Sequence, residues 1–83
     1  MAKLECQLNS RPADLARRLG DELRLRGRVL TDSSAYTVGG VSAHFQVWGR
    51  LSLLVIGSGS LSTVTAVSEA PEDIGLVEAG LGL

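Results

Sequence analysis

Hydrophobic and polar residues follow two different periods along the first third of this chain. Lys3–Leu8 alternates between the two classes, which predicts a short strand over residues 1–8 with one apolar face. Within residues 10–26, leucine recurs at every fourth position, as Leu15, Leu19 and Leu23. This spacing is the apolar stripe of an amphipathic helix. We therefore expect a strand followed by a helix.

Residues 28–67 return to the period of a strand. Glycine-containing turn sequences break this segment at positions 39–40, 49–50 and 57–60. We expect an antiparallel β-meander of three to four strands. Its first part reads as two short strands, Arg28–Thr31 and Tyr36–Val38, with a turn at the intervening polar residues 32–34.

The turns predict which side chains share a face of the sheet. Gly49 stands at the first central position of a two-residue turn, as type II′ requires, so Trp48 pairs with Leu51. The turn at 57–60 pairs Ile56 with Leu61. One face then carries Trp48, Leu51, Leu53, Val55, Val64 and Ala66, and the other carries Val41, Phe45, Val47, Leu54, Ile56 and Leu61. Both faces are apolar, and one good helix covers only one of them.

The C-terminal segment, residues 71–83, has a weaker pattern. Pro71 and the acidic residues after it are typical of the first turn of a helix. Gly75, Gly80 and Gly82 disfavour that helix in isolation. We expect a short helix docked on the sheet or a disordered tail. The whole pattern, residues 1–83, predicts a single small α+β domain.

Length and composition exclude several classes of protein. The chain has 83 residues, enough for one domain, and 45% of them are hydrophobic, which is too many for a disordered chain. The longest apolar stretch, Leu51–Ile56, is far shorter than the ~20 residues that span a bilayer. The N-terminus lacks the pattern of a signal peptide, and Cys6 is the only cysteine. We expect a cytoplasmic protein without a membrane segment.

The helix is rich in arginine, but its charges are balanced. Six arginines lie between positions 11 and 28, and acidic residues stand four positions from most of those in the helix. No aromatic residue is interleaved with them to stack on bases. The net charge of the chain is −1. We therefore expect no nucleic-acid partner.

Cys6 and His44 are the only thiol and the only imidazole in the chain. Catalysis by this pair would need the two side chains within hydrogen-bond reach of each other. Cys6 alternates with Leu4 and Leu8, which favours a buried, unreactive thiol. One cysteine and one histidine are too few to hold a metal ion unless symmetry supplies a second copy of each. We expect no catalytic residues, no metal and no cofactor, and we do not expect an enzyme.

The two apolar faces give the functional hypothesis. Trp48 lies on one of them and could be a core residue, an interface anchor or a platform for a flat ligand. We expect a homo-oligomer, or binding to a protein partner, through this face. The residues predicted for the ligand or interface site are Trp48, His44, Leu51, Leu53, Val55 and Val64. The alternative is a module that binds a small apolar or aromatic ligand beside Trp48 and His44.

Four segments carry a resemblance to known sequences: Gly40–Ser42, Phe45–Trp48, Arg50–Gly59 and Val64–Ser68. Together they resemble a family of small uncharacterised bacterial proteins described as a domain of unknown function. The resemblance implies a strand and a helix followed by a β-meander, in a bacterial protein. It implies no catalytic residues.

Overall fold

Alternation and turn chemistry produce five strands here, and two helices accompany them. A computed structural model describes residues 1–83. Its elements are β1 (Ala2–Leu8), α1 (Pro12–Leu25), β2 (Asp32–Val38), β3 (Val41–Trp48), β4 (Leu51–Ser58), β5 (Leu61–Ser68) and α2 (Pro71–Leu81). This confirms the predicted α+β class, with a strand and a helix before an antiparallel meander and a short C-terminal helix. Neither helix is both long and apolar enough to cross a membrane.

The five strands form one antiparallel sheet in the order β1-β5-β4-β3-β2. Two-residue turns join β2, β3, β4 and β5 in sequence to form the meander. β1 pairs with β5 and completes the sheet. Glycine occupies the turn positions with positive φ, such as Gly49 at 66°. The predicted pairing of Trp48 with Leu51 is confirmed, and the same register pairs His44 with Val55.

Both helices lie on the same face of the sheet. α1 packs against β3, β4, β5 and α2, and α2 packs against β5 and β1. The leucine stripe of α1 points into the core, as its spacing predicts. The core consists of Leu15, Ala16, Leu19, Leu23, Trp48, Leu51, Leu53, Val55, Val64, Ala66, Ile74, Val77 and Leu81. A single layer of helices therefore covers one face of a sheet whose two faces are both apolar.

The C-terminal segment forms a helix that is docked on the sheet. Ile74, Val77 and Leu81 of α2 are buried in the core. Gly80 allows the two helices to approach closely, because a Cβ at this position would lie 3.2 Å from Cδ2 of Leu19. Burial of the apolar side of α2 thus outweighs the low helix propensity of its glycines.

A buried carboxylate anchors the start of α2. Asp73 Oδ2 accepts a hydrogen bond of 2.7 Å from Ser68 Oγ, and this hydroxyl oxygen accepts one of 3.1 Å from the N–H of Ala70. Nη2 of Arg28 lies 2.8 Å from Oδ1 of Asp73, as an ion pair without the alignment of a hydrogen bond. The Asp73 side chain is 2% exposed and the Arg28 side chain 35%. This network ties the segment after α1 to the β5–α2 junction.

Strand β2 differs from its prediction. One continuous strand, Asp32–Val38, pairs with β3 through the residues predicted as a turn, and Arg28–Thr31 is not a strand. Thr31 instead donates its backbone N–H and its hydroxyl to the carbonyl of Val47. Turn-forming polar residues are compatible with this strand because it lies at the sheet edge with all seven residues exposed.

The register of β4 and β5 also differs from the prediction, by two residues. Ile56 pairs with Thr63 rather than with Leu61, because the turn consists of residues 59–60 and Leu61 pairs with Ser58. A shift by an even number of residues leaves every side chain on its predicted face. The assignment of residues to the two faces is therefore unaffected.

The open sheet face as a candidate interaction surface

The sheet face that points away from the helices is uncovered. We call it the open face and define it by the outward-pointing residues of the five strands. Its apolar members are Tyr36, Val38, Val41, Ala43, Phe45, Val47, Leu54, Ile56, Leu61 and Val67. They alternate along the strands with the residues that face the helices.

The centre of the open face is apolar. Leu54 on the middle strand pairs with Phe45 on one side and with Thr65 on the other. In the next row, Ile56 pairs with Ala43. Phe45 is 37% exposed and Ile56 is 38% exposed, although each has neighbours on both sides. Nothing in the chain packs over this centre.

The charges of the open face lie on its two outer strands. Lys3 and Glu5 point outward from β1, and Nζ of Lys3 lies 3.8 Å from Oε2 of Glu5. Asp32 points outward from β2. No other outward-pointing strand residue is charged. The open face is thus a neutral, largely apolar strip with a charged margin on each side.

The residues predicted for the interface lie on the opposite face. Trp48, Leu51, Leu53, Val55 and Val64 are each at most 3% exposed. These side chains are therefore not available as the predicted contact surface, because α1 and α2 already cover them within one chain. The face left for contact is the one that carries Phe45, Leu54 and Ile56.

Trp48 has a complete set of partners inside the domain. Its Nε1–H donates to Oε1 of Gln46 at 2.9 Å, and Nε2 of Gln46 donates to the carbonyl of Ala16 in α1 at 3.2 Å. The guanidinium of Arg24 lies 5.4 Å from the centre of the ring, within range of a cation–π contact. Trp48 could have been a core residue, an interface anchor or a ligand platform, and in the structure it is a core residue.

His44 and Cys6 are not brought together. Cys6 pairs with Val64, Val64 with Val55, and Val55 with His44, so two strands separate the thiol from the imidazole. Three strand spacings amount to roughly 14 Å, far beyond hydrogen-bond reach. Burial raises the pKa of the Cys6 thiol, which disfavours the nucleophilic thiolate. His44 is half-buried at the border of the core.

The concave surfaces of the chain are shallow, and none is lined by more than two hydrophobic residues. The largest, of about 480 Å³, lies beside the start of α1 and is lined by Arg11, serines and glycines. His44 lines another of about 340 Å³, together with serines of β2. None of them includes Trp48. Small-molecule sites are usually lined by apolar side chains, so the geometry does not favour the predicted ligand site.

Comparison with other proteins identifies no relative. No family model matches the chain, and neither curated proteins nor solved structures give a match. The resemblance to small bacterial proteins stays a prediction. What the chain does is therefore inferred from its own surface.

Proposed function

We propose that this protein acts by self-association and that the open face is its contact surface. One observation carries the proposal: apolar side chains on adjacent strands stay exposed in the single chain, while both helices cover the other face. Monomeric soluble proteins rarely expose a contiguous apolar patch larger than a few hundred Å². A second chain over the open face would remove this patch from water.

The dimensions of the open face suit a dimer. Five strands about 4.8 Å apart, each about 25 Å long, cover roughly 600 Å². Two such faces bury roughly 1,200 Å² in total, the lower end of the range for specific interfaces. If half of that area is apolar, its burial is worth about 15 kcal/mol before the cost of association, which is about 4–15 kcal/mol. The difference is about 0–11 kcal/mol, a range that includes the ~8 kcal/mol of a micromolar dissociation constant, which is the value we expect.

The charge pattern supports a second copy as the partner. In a two-fold symmetric contact, the centre of the face packs against the same centre in the other chain. Leu54, Phe45 and Ile56 are neutral, so this contact brings no like charges together at the centre. Lys3 and Asp32 lie on opposite margins of the face, where charges stay hydrated.

A substitution on the open face tests the proposal. Leu54→Lys places an ammonium group at the centre of the contact, and Leu25→Lys makes the same change at the end of α1, where the leucine is 81% exposed. By sedimentation equilibrium we expect the wild type and Leu25→Lys to exceed the 8.7 kDa chain mass at micromolar concentration. We expect Leu54→Lys to have a lower mass than both, because it loses the contact through the open face.

The folded state is checked in the same samples. Trp48 is buried against α1, so its fluorescence reports whether each variant is folded. Should Leu54→Lys unfold, Ile56→Lys is the second variant, because Ile56 is already 38% exposed. A monomeric wild type, or a folded open-face variant that associates as well as Leu25→Lys, contradicts the proposal.

A further inference from the structure

Strand β2 extends beyond the part of the sheet that the helices cover. All seven of its residues are exposed, with Tyr36 at 66% and Val38 at 75%. No residue of β2 belongs to the core. A strand held only by its hairpin partner is marginally stable in water. β2 therefore lacks the burial that stabilises the other four strands.

The turn before β3 indicates which backbone groups of β2 are free. Gly39 and Gly40 both have positive φ, as in a type I′ turn, so Val38 and Val41 exchange backbone hydrogen bonds. In an antiparallel pair such residues alternate with residues whose N–H and C=O point away from the partner strand. The free groups then belong to Ser33, Ala35 and Thr37. The Ser33 N–H fits this pattern, since it donates to its neighbour Asp32.

The free edge of β2 carries almost none of the usual devices that prevent strand pairing. Natural edge strands are protected by lysine, proline, bulges or charged residues. β2 has no lysine or proline, it pairs with β3 over seven consecutive residues, and its only charge is Asp32 at the first position. The other edge strand, β1, carries Lys3 and Glu5 within it.

We infer that β2 pairs edge to edge with β2 of a second copy of this chain. An antiparallel pair centred on Ala35 sets Ser33 opposite Thr37 of the other copy and forms about six backbone hydrogen bonds, two of them after the Ser33 N–H of each copy leaves Oδ1 of Asp32. Asp32 then lies opposite Val38, so no like charges meet. Both open faces point to the same side, and Tyr36 of each copy extends the open face of the other. This deepens the proposed self-association through a separate surface.

Hydrogen exchange of single amides, followed by NMR, tests the edge pair. In the wild type we expect the Ala35 and Thr37 amides to become protected as concentration rises, and the Tyr36 amide, bonded to β3, to be protected throughout. Ala35→Pro removes only an outward-pointing donor, which an edge strand tolerates. We expect it to abolish protection at Thr37. The control Ala35→Thr keeps the donor and should retain protection.

The same measurement in Leu54→Lys separates this inference from the proposed function. Thr37 protection that persists in Leu54→Lys and is lost in Ala35→Pro supports the edge pair, even if the open face makes no contact. Thr37 amides that exchange at unprotected rates at every concentration overturn it. So does protection that survives in Ala35→Pro or that Leu54→Lys removes. The mass of Leu54→Lys relative to that of Leu25→Lys then decides the proposed function on its own.

Discussion

Removal of the Arg28 guanidinium would leave a buried carboxylate without its counter-ion. Arg28→Ala leaves Asp73, whose side chain is 2% exposed, with a single hydrogen bond from Ser68. Asp73 stands in the first turn of α2, so its environment affects how this helix docks on the sheet. We expect a loss of stability that is much larger than the loss of a surface ion pair.

The magnitude follows from the geometry. Unit charges about 4 Å apart attract each other by about 4 kcal/mol at an effective dielectric constant near 20. Breaking a fully buried pair typically costs about 3–5 kcal/mol. Because the Arg28 side chain is 35% exposed, water replaces part of its effect. We therefore expect the free energy of unfolding to fall by about 2–3 kcal/mol, out of a total of about 4–12 kcal/mol for a chain of this length.

Urea unfolding followed by Trp48 fluorescence measures this loss. The matched control is Arg26→Ala. Nη2 of Arg26 lies 3.1 Å from Oε1 of Glu22, but the Arg26 side chain is 46% exposed. We expect the control to lose less than about 0.5 kcal/mol. The two variants delete the same side chain two positions apart.

A double-mutant cycle identifies the origin of the effect. In Asp73→Asn the buried group is neutral, so removal of Arg28 from this background should cost little. A loss of less than about 0.5 kcal/mol for Arg28→Ala, or an equal loss in the presence and absence of Asp73→Asn, would refute this account of how α2 is anchored.

Two further properties can be measured independently. Gly75→Ala should raise the free energy of unfolding by about 0.5–1 kcal/mol in thermal melts, because a Cβ there meets nothing within 4 Å and alanine favours the helix. Gly80→Ala should show no such gain, since its Cβ would crowd Leu19 and Glu22. An equal gain in both variants would contradict the packing of α1 on α2. The Cys6 thiol should react with a thiol reagent at pH 8 more slowly than in the urea-unfolded chain, because its partial burial raises its pKa and less thiolate is present. Equal rates would contradict this partial burial.

Local signals in the sequence were enough to predict most of the fold. The spacing of Leu15, Leu19 and Leu23 indicates both α1 and its buried side, because an α-helix brings every fourth residue to the same face. The turn at Gly49 gives the register of β3 and β4, since a two-residue turn leaves one pairing. These predictions hold because each depends on residues close in the sequence.

The choice of the covered face needed information from distant strands. In β3 and β4 alone, both faces are apolar. The prediction chose the face that carries Trp48 because a tryptophan is a common interface anchor. The informative residues lie on β1 and β5: Lys3 and Glu5 share the open face with Thr63 and Thr65. Their polarity marks that face as the one without helices, but only once β1 is known to pair with β5.

The contacts that join distant elements could not be predicted. Asp73 reads as an ordinary acidic residue in a first helical turn, and only the folded chain brings Arg28 to it. Gln46 likewise reads as a polar strand residue, yet it links Trp48 to the backbone of Ala16 in α1. Alternation gives the face on which such a side chain lies but not its partner. The docking of α2 also depends on tertiary packing, which outweighs its weak propensity.

Hydroxyl-radical footprinting at low and high protein concentration tests the central claim most directly, because it reports the exposure of individual side chains. We expect oxidation of Phe45, Leu54 and Ile56 to fall as concentration rises through the micromolar range, while oxidation of Leu25, outside the open face, stays constant. Oxidation of Phe45 and Leu54 that does not change with concentration, or protection confined to the helical side, would contradict the open face as the surface of self-association.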